Sequence, residues 1–165
     1  MAAKIAFIQT GGTIDKDYPR STGGYAFEID EPAFERILSR LYPNFTYTVH
    51  HHLRKDSQEI DDLDRKKLLD FVSKMDEEKV IITHGTDTMI ETARFLDQKT
   101  TKTIVVTGAK LPERFSNSDA PINLGTAIGA VQSLGPGVYL AMQGLVIPIR
   151  YAGRDLKTGN FLDMR

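Results

Sequence analysis

Residues 79–91 read KVIITHGTDTMIE, an apolar run that changes into a polar, glycine-containing loop and then into a helix start. Residues 80–83 are nearly all apolar instead of alternating, which is typical of a strand covered by helices on both faces. Thr88 followed by Glu91 fits a capping box and predicts a helix over residues 88–96. The stretch therefore predicts one strand–loop–helix unit of a parallel sheet.

Other parts of the chain repeat this alternation of apolar run, turn and helical spacing. Predicted strands occupy residues 4–10, 45–52, 79–83, 103–107 and 137–142, and 145–149 is a candidate for a strand paired with the last of these. Predicted helices open at Asp30–Pro32 and cover residues 61–75, 88–96 and 122–134. The predicted fold class is α/β, a doubly wound, mostly parallel sheet of flavodoxin-like type.

The composition limits the size of the protein and the class of its partners. A length of 165 residues with 41% hydrophobic residues suits one core, so we expect a single domain over residues 1–165. The 21 basic and 22 acidic residues are interspersed and give a net charge of −1. We therefore expect no nucleic-acid partner and no membrane partner, but a small-molecule substrate.

The N-terminal apolar stretch is interrupted by Gln9 and Thr10, and no segment approaches the length of a transmembrane span. We therefore expect a cytoplasmic location. The chain has no cysteine, so it offers no disulfide, thiol nucleophile or thiolate metal ligand.

Polar clusters follow four of the predicted strands, at residues 11–13, 56–59, 84–87 and 108–110. Doubly wound sheets bind ligands beyond the carboxyl ends of their strands, so these clusters predict one shared cleft. Gly11 and Gly12 allow the backbone to turn tightly before the hydroxyl of Thr13. The glycine spacing fits neither a dinucleotide-binding nor a phosphate-binding loop.

Each polar cluster also has a purely structural interpretation. A Gly-Gly-Thr turn often has no function beyond the turn itself. Asp87 or Thr88 could simply cap the following helix, and His84 could be a satisfied histidine at a strand end. The His50–His52 run offers two side chains on one strand face and no acidic third ligand, so we expect neither a metal nor a cofactor.

Two segments, TGGTI at residues 10–14 and HGTDTMIETA at residues 84–93, resemble the two signature segments of the bacterial-type L-asparaginase and glutaminase-asparaginase family. The loops at residues 56–58, 107–112 and 119–124 also resemble that family. The resemblance extends from about residue 5 to residue 157. It implies hydrolysis of L-asparagine to L-aspartate and ammonia through a threonine nucleophile and an acyl-enzyme.

The resemblance also assigns roles to individual residues. It makes Thr13 the nucleophile, Tyr25 a tyrosine of a mobile N-terminal flap, and Thr86 with Asp87 the second threonine and its carboxylate partner. Lys157 is the candidate for the family's lysine, although it lies one residue closer to the preceding Arg-Asp pair than in the family pattern. A threonine hydroxyl needs such a neighbour to accept its proton. The implied substrate-binding residues are Gly12, Asp56, Ser57, Gln58 and Ala109, with backbone amides near Gly12 and Ala109 as oxyanion donors.

Full-length members of the family carry a second, C-terminal domain that contributes to a neighbouring subunit's active site, and we expect this domain to be absent. The cleft would then be completed by the flap or by another copy of the chain, which predicts a homo-oligomer. Two alternatives remain at the level of sequence. One is a non-catalytic or weakly active binding module for aspartate or asparagine, and the other is the amidase subunit of a tRNA-dependent amidotransferase.

Overall fold

A computed structural model describes residues 4–21, 23–24, 26–98 and 100–165. Within these residues, strands and helices alternate along most of the chain. In chain order the elements are β1 (Ile5–Gly11), β2 (Lys16–Asp17), β3 (Glu28–Ile29), α1 (Ala33–Leu41), β4 (Tyr47–Lys55), α2 (Asp62–Lys74), β5 (Lys79–Thr83), α3 (Met89–Asp97), β6 (Thr103–Thr107), α4 (Ala120–Ser133), β7 (Gly137–Met142), β8 (Leu145–Pro148), β9 (Ala152–Arg154) and β10 (Phe161–Asp163).

One six-stranded sheet forms the centre of the fold, in the order β4-β1-β5-β6-β7-β8. Its first five strands are parallel, and β8 is an antiparallel edge strand beside β7. In chain order the parallel strands read 2-1-3-4-5, which is the flavodoxin-like order. The predicted fold class is confirmed, as is the paired strand after β7. The order reverses at β1, so a ligand crevice is expected between the carboxyl ends of β1 and β5.

Two hydrophobic clusters cover the two faces of this sheet. Along β1, Ala6 and Ile8 belong to the cluster that includes α2 and α3, whereas Ile5 and Phe7 belong to the cluster that includes α1 and α4. The strand therefore buries both of its faces, which explains its almost continuous apolar sequence. This buried sheet is a rigid support for the loops at its carboxyl edge.

Two helix starts are stabilised differently from the sequence prediction. The Thr88 hydroxyl donates to the carbonyl oxygen of Ser57 at 2.6 Å and makes no cap bond, so the predicted capping box is wrong. α1 begins after Pro32, and its Ala33 amide donates to the Asp15 carboxylate at 2.7 Å. In both cases a bond to another loop replaces a local cap.

Two short hairpins, β2–β3 and β9–β10, lie outside the main sheet. The β9–β10 hairpin buries Phe161 against the core, and the Phe161 amide donates to the Gln143 side chain at 2.8 Å. None of the helices formed by the described residues has both the length and the apolar character needed to cross a membrane.

Candidate active site

The loops after β1 and β5 touch backbone to backbone. Gly12 has a φ angle of +90°, and a Cβ atom placed on it would lie 2.4 Å from both the Cα and N atoms of Gly85. Only glycine satisfies both the angle and the space. Gly12 precedes Thr13 and Gly85 precedes Thr86, so this contact joins the two threonine segments at the crevice between β1 and β5.

The two remaining loops close around the same contact. A Cβ on Gly85 would lie 2.7 Å from the Ser57 Oγ, in the loop after β4. A Cβ on Gly108, in the loop after β6, would lie 2.3 Å from the carbonyl oxygen of His84. The four polar clusters of the sequence therefore meet at the carboxyl edge of the sheet. Thr13 and Thr86 are both half-buried there.

Asp87 is exposed and held by two side chains. Gln58 Nε2 donates to its Oδ2 at 2.8 Å, and Arg154 Nη1 donates to its Oδ1 at 3.2 Å. The hydrogen bond from Gln58, the hydrogen bond from Arg154 and the positive charge of Lys16 hold the pKa of the Asp87 carboxyl below its usual range. Asp87 is therefore an oriented anion at the mouth of the cleft.

The loop after β4 is organised by its own hydrogen bonds. Asp56 accepts the Gln58 amide at 3.1 Å and caps the short 3-10 turn Ser57–Glu59. Ser57 is buried, while Gln58 is exposed and reaches Asp87. Gln58 and Ser57 are thus in the cleft, whereas the side chain of Asp56 supports the loop.

Gly12 and Ala109 are both buried at the strand ends. The Gly12 amide donates to the carbonyl oxygen of Lys55 at 3.0 Å, so this amide is already engaged. Ala109 lies beside Lys110, whose amide donates to Asp119 at 2.9 Å.

His84 is a structural histidine. It is completely buried, and its Nδ1 and Nε2 lie 2.8 Å from the Gly85 carbonyl oxygen and the Thr92 Oγ1 respectively. A carbonyl can only accept, so Nδ1 carries the proton and Nε2 accepts from the threonine hydroxyl. Burial and the charge of Arg65 lower the pKa of His84 to about 4. The histidine stays neutral and fixes the peptide of Gly85.

Asp15 is a buried carboxyl two residues after Thr13. It accepts the Ala33 amide at 2.7 Å and the Gln9 Nε2 at 3.1 Å. Burial raises its pKa to about 7, against the lowering effects of these two bonds and of the Arg36 charge. Asp15 could not be predicted from the sequence, because a carboxylate that accepts a helix amide 18 positions away leaves no local pattern.

Lys157 is not joined to the cleft by the contacts of the described residues. Lys157 is exposed in the turn between β9 and β10, and its amide donates to Asp155 at 2.9 Å. Among the described residues its ammonium has no bonding partner, whereas Arg154 contacts the Thr86–Asp87 segment. Tyr25, and with it part of the predicted flap, lies outside the described residues.

The histidine run shows the predicted alternation. His50 and His52 both pack on Phe71, with ring centroids 5.4 and 4.9 Å away, while His51 points to the opposite face. There His51 meets Glu31 and Glu35, and their ligand atoms lie within 4.8 Å of one another. Arg54 donates to Glu31 at 2.7 Å, so this exposed group forms an ion-pair network.

Together, the strand order and the four converging loops define an α/β protein whose threonine-bearing loops meet at the carboxyl edge of its sheet. A family model described as "Asparaginase, N-terminal" matches residues 4–158. The chain therefore belongs to the asparaginase family, as its signature segments predicted.

Individual relatives agree with this family. The glutaminase-asparaginase of Acinetobacter glutaminasificans is 29% identical over 167 residues, covering 94% of this chain and 49% of the relative. The thermostable L-asparaginase from Thermococcus kodakarensis superposes on this chain with a TM-score of 0.82 at 25% sequence identity. The superposition covers 97% of this chain and 51% of the Thermococcus chain. A probable cytoplasmic L-asparaginase from Campylobacter jejuni gives 0.77 at 28% identity, covering 98% and 53%. The chain thus spans about half the length of these relatives.

Proposed function

We propose that this protein is an L-asparaginase, which hydrolyses the side-chain amide of L-asparagine to L-aspartate and ammonia. The observation that carries the proposal is the backbone contact between Gly12 and Gly85, which brings the segments of Thr13 and Thr86 together at the crevice between β1 and β5. Membership of the asparaginase family and the names of the relatives support the same reaction.

In the proposed mechanism Thr13 is the nucleophile. Its Oγ attacks the side-chain amide carbon, the carbon–nitrogen bond breaks, and the nitrogen leaves as ammonia after gaining a proton. Water then hydrolyses the threonine ester, which releases aspartate and restores the hydroxyl. A neighbouring base that takes the hydroxyl proton contributes about 10²- to 10⁴-fold to such a step. Thr86 and Lys157 are the proposed members of this proton path.

The charges around the cleft support recognition of an amino acid. Asp87 is ionised and oriented, so it suits the substrate's ammonium group, and a charge-assisted hydrogen bond of this kind is about twice as strong as a neutral one. Gln58 lies beside it and Ser57 is the neighbour of Gln58 in the chain, and these two side chains are the proposed donors for the α-carboxylate. The Ala109 loop is the proposed source of an oxyanion donor, the loss of which costs about 3 kcal/mol of transition-state stabilisation.

Ammonia release by single-threonine variants tests the mechanism. Thr13→Ala and Thr86→Ala are expected to abolish release from L-asparagine while the circular-dichroism spectrum stays unchanged. Thr101→Ala is the matched control, because this exposed threonine lies just before β6, at the opposite edge of the sheet. An unchanged rate in both cleft variants would refute the threonine mechanism.

A binding module for aspartate or asparagine is the second candidate, because the lysine proposed for catalysis is exposed and its ammonium has no bonding partner among the described residues. Calorimetry with L-aspartate and an ammonia assay distinguish the two functions. Binding without ammonia production from L-asparagine or L-glutamine would favour the module.

We further propose a cytoplasmic location and a homo-oligomer.

A further inference from the structure

Arg154 connects the β9–β10 hairpin to the cleft. It is the last residue of β9, and its Nη1 donates to the carbonyl oxygen of Thr86 at 2.8 Å and to the Asp87 Oδ1 at 3.2 Å. One nitrogen thus binds both the backbone and the side chain of the segment that follows β5. Arg154 is about one-fifth exposed, so water competes little for these bonds.

The guanidinium group is itself held in place from behind. Arg154 Nε lies 3.4 Å from the carbonyl oxygen of Gly159, and the guanidinium carbon lies 5.5 Å from the ring centroid of Phe161. Phe161 is buried and pairs with Arg154 across the hairpin. A side chain held by the turn and by the facing strand of its hairpin loses little further freedom when it binds the cleft.

The Asp87 carboxylate has one bond on each oxygen, from Gln58 on Oδ2 and from Arg154 on Oδ1. Two bonds from opposite sides fix the rotation of a carboxylate, whereas one bond leaves it free to turn. Without Arg154 the carboxylate would keep only the exposed Gln58 as a tether. The orientation of Asp87 therefore depends on a residue 67 positions away in the chain.

We propose that Arg154 is a positioning residue, which fixes the Thr86 carbonyl and the Asp87 carboxylate in the orientation that the substrate's ammonium group requires. This inference rests on the proposed function, since the ammonium group is that of the amino-acid substrate. The cationic side chain that contacts the Thr86–Asp87 segment is thus that of Arg154, not that of Lys157.

The first test measures the contact without any activity. The pKa of the Asp87 carboxyl is followed by NMR in protein labelled with ¹³C-aspartate. Arg154→Ala is expected to raise this pKa, because a bond and a positive charge are removed, and Arg154→Lys is expected to keep it low. Arg154→Gln gives the neutral comparison if the alanine variant does not fold. Arg150→Ala is the matched control, since Arg150 is exposed and its guanidinium lies 4.8 Å from the Tyr151 ring centroid.

The second test is kinetic. For ammonia release from L-asparagine, Arg154→Ala is expected to lower kcat/KM at least about tenfold, mainly through a higher KM, because Asp87 would bind the ammonium group less well. Arg154→Lys is expected to recover most of this loss, and Arg150→Ala to leave both constants unchanged. If Arg154 only stabilised the fold, Arg154→Ala would instead reduce the fraction of folded protein. The apparent kcat would then fall in proportion, and KM would stay the same.

The two tests separate the inference from the proposed function. An Asp87 pKa that stays the same in the alanine and glutamine variants would overturn the role of Arg154, whether or not the protein is active. Absence of ammonia release by the wild-type protein would refute the proposed function alone. In that case the Asp87 pKa and calorimetry with L-aspartate still decide the inference, because loss of aspartate binding in Arg154→Ala is the expected result.

Discussion

At the scale of single residues, two buried titratable groups beside the cleft make the stability of the folded state depend on pH in opposite directions. Burial lowers the pKa of His84 to about 4 and raises that of Asp15 to about 7. His84 therefore disfavours the folded state as the pH falls below its unfolded pKa of 6.5, while Asp15 disfavours it as the pH rises above its unfolded pKa of 3.8. Both groups hold backbone next to the threonine segments, so the local packing of the cleft is linked to protonation.

Asp15→Asn is expected to change how stability depends on pH. Between pH 3.8 and about 7 the folded wild type binds one proton more at Asp15 than the unfolded chain. This contribution lowers the free energy of unfolding by about 1.4 kcal/mol per pH unit as the pH rises, and by about 4 kcal/mol over the whole window. The asparagine variant lacks this contribution.

Urea unfolding of both proteins at several pH values between about 4.5 and 6.5 checks this prediction. The wild type should lose stability relative to the variant as the pH rises. The contribution of His84 is present in both proteins and cancels in the difference. Parallel stability curves for the two proteins would contradict a raised pKa at Asp15.

Two glycines also determine how closely the loops of the cleft approach each other. Gly12 and Gly85 touch because neither carries a Cβ, and the positive φ of Gly12 turns the chain immediately before Thr13. The two adjacent glycines, Gly11 and Gly12, are sufficient to predict the tight turn from sequence. The contact between Gly12 and Gly85 cannot be predicted in this way, because these residues are 73 positions apart in the chain and the strand order alone brings them together.

At the scale of elements, the start of α4 fastens the loop that follows β6. Asp119 accepts the amides of Lys110 and Leu111, and Asn123 lies one helical turn further on. Asn123 Nδ2 donates to Asp119 and to the carbonyl oxygen of Gly108, and its Oδ1 accepts the amide of Gln143. One buried amide side chain thus joins α4 to the loops after β6 and β7.

Asn123→Ala is expected to lower the free energy of unfolding by about 2–3 kcal/mol, because buried polar groups lose their partners and a small cavity forms. It is also expected to lower kcat/KM, since Ala109 belongs to the loop that Asn123 holds. Denaturant unfolding and the ammonia assay check the two effects. Thr126→Ala is the matched control on the same helix, because the Thr126 hydroxyl donates to the Ile122 carbonyl oxygen within α4. Equal stability of the two variants would contradict this role.

The elements also show where local sequence patterns are reliable. α2 begins with a capping box formed by Asp61 and Asp64, which lie three positions apart in the chain. Thr88 has the same local pattern with Glu91, yet its hydroxyl binds Ser57 on another loop. The difference is physical: at Thr88 a neighbouring carbonyl competes for the hydroxyl, and only the packing of β4 beside the cleft brings that carbonyl close.

At the scale of the whole molecule, the cleft opens at one edge of a single sheet, and the chain covers about half of each relative named above. We expect the cleft to be completed by a second copy of the chain. Light scattering coupled to size-exclusion chromatography should therefore give a mass above that of one chain at micromolar concentration, with ammonia release in the same fractions. A stable and active monomer would contradict the expectation.

The sequence by itself determined the fold class, the strand ends on which the polar residues lie, and the family. These depend on local periods of hydrophobicity and on short motifs such as residues 10–14 and 84–93. The tertiary structure alone decided the contacts of Asp15, Arg154 and Asn123. The physical reason is that their hydrogen bonds join segments distant in the chain, and such bonds follow from the strand order 2-1-3-4-5 and from which loops it brings together.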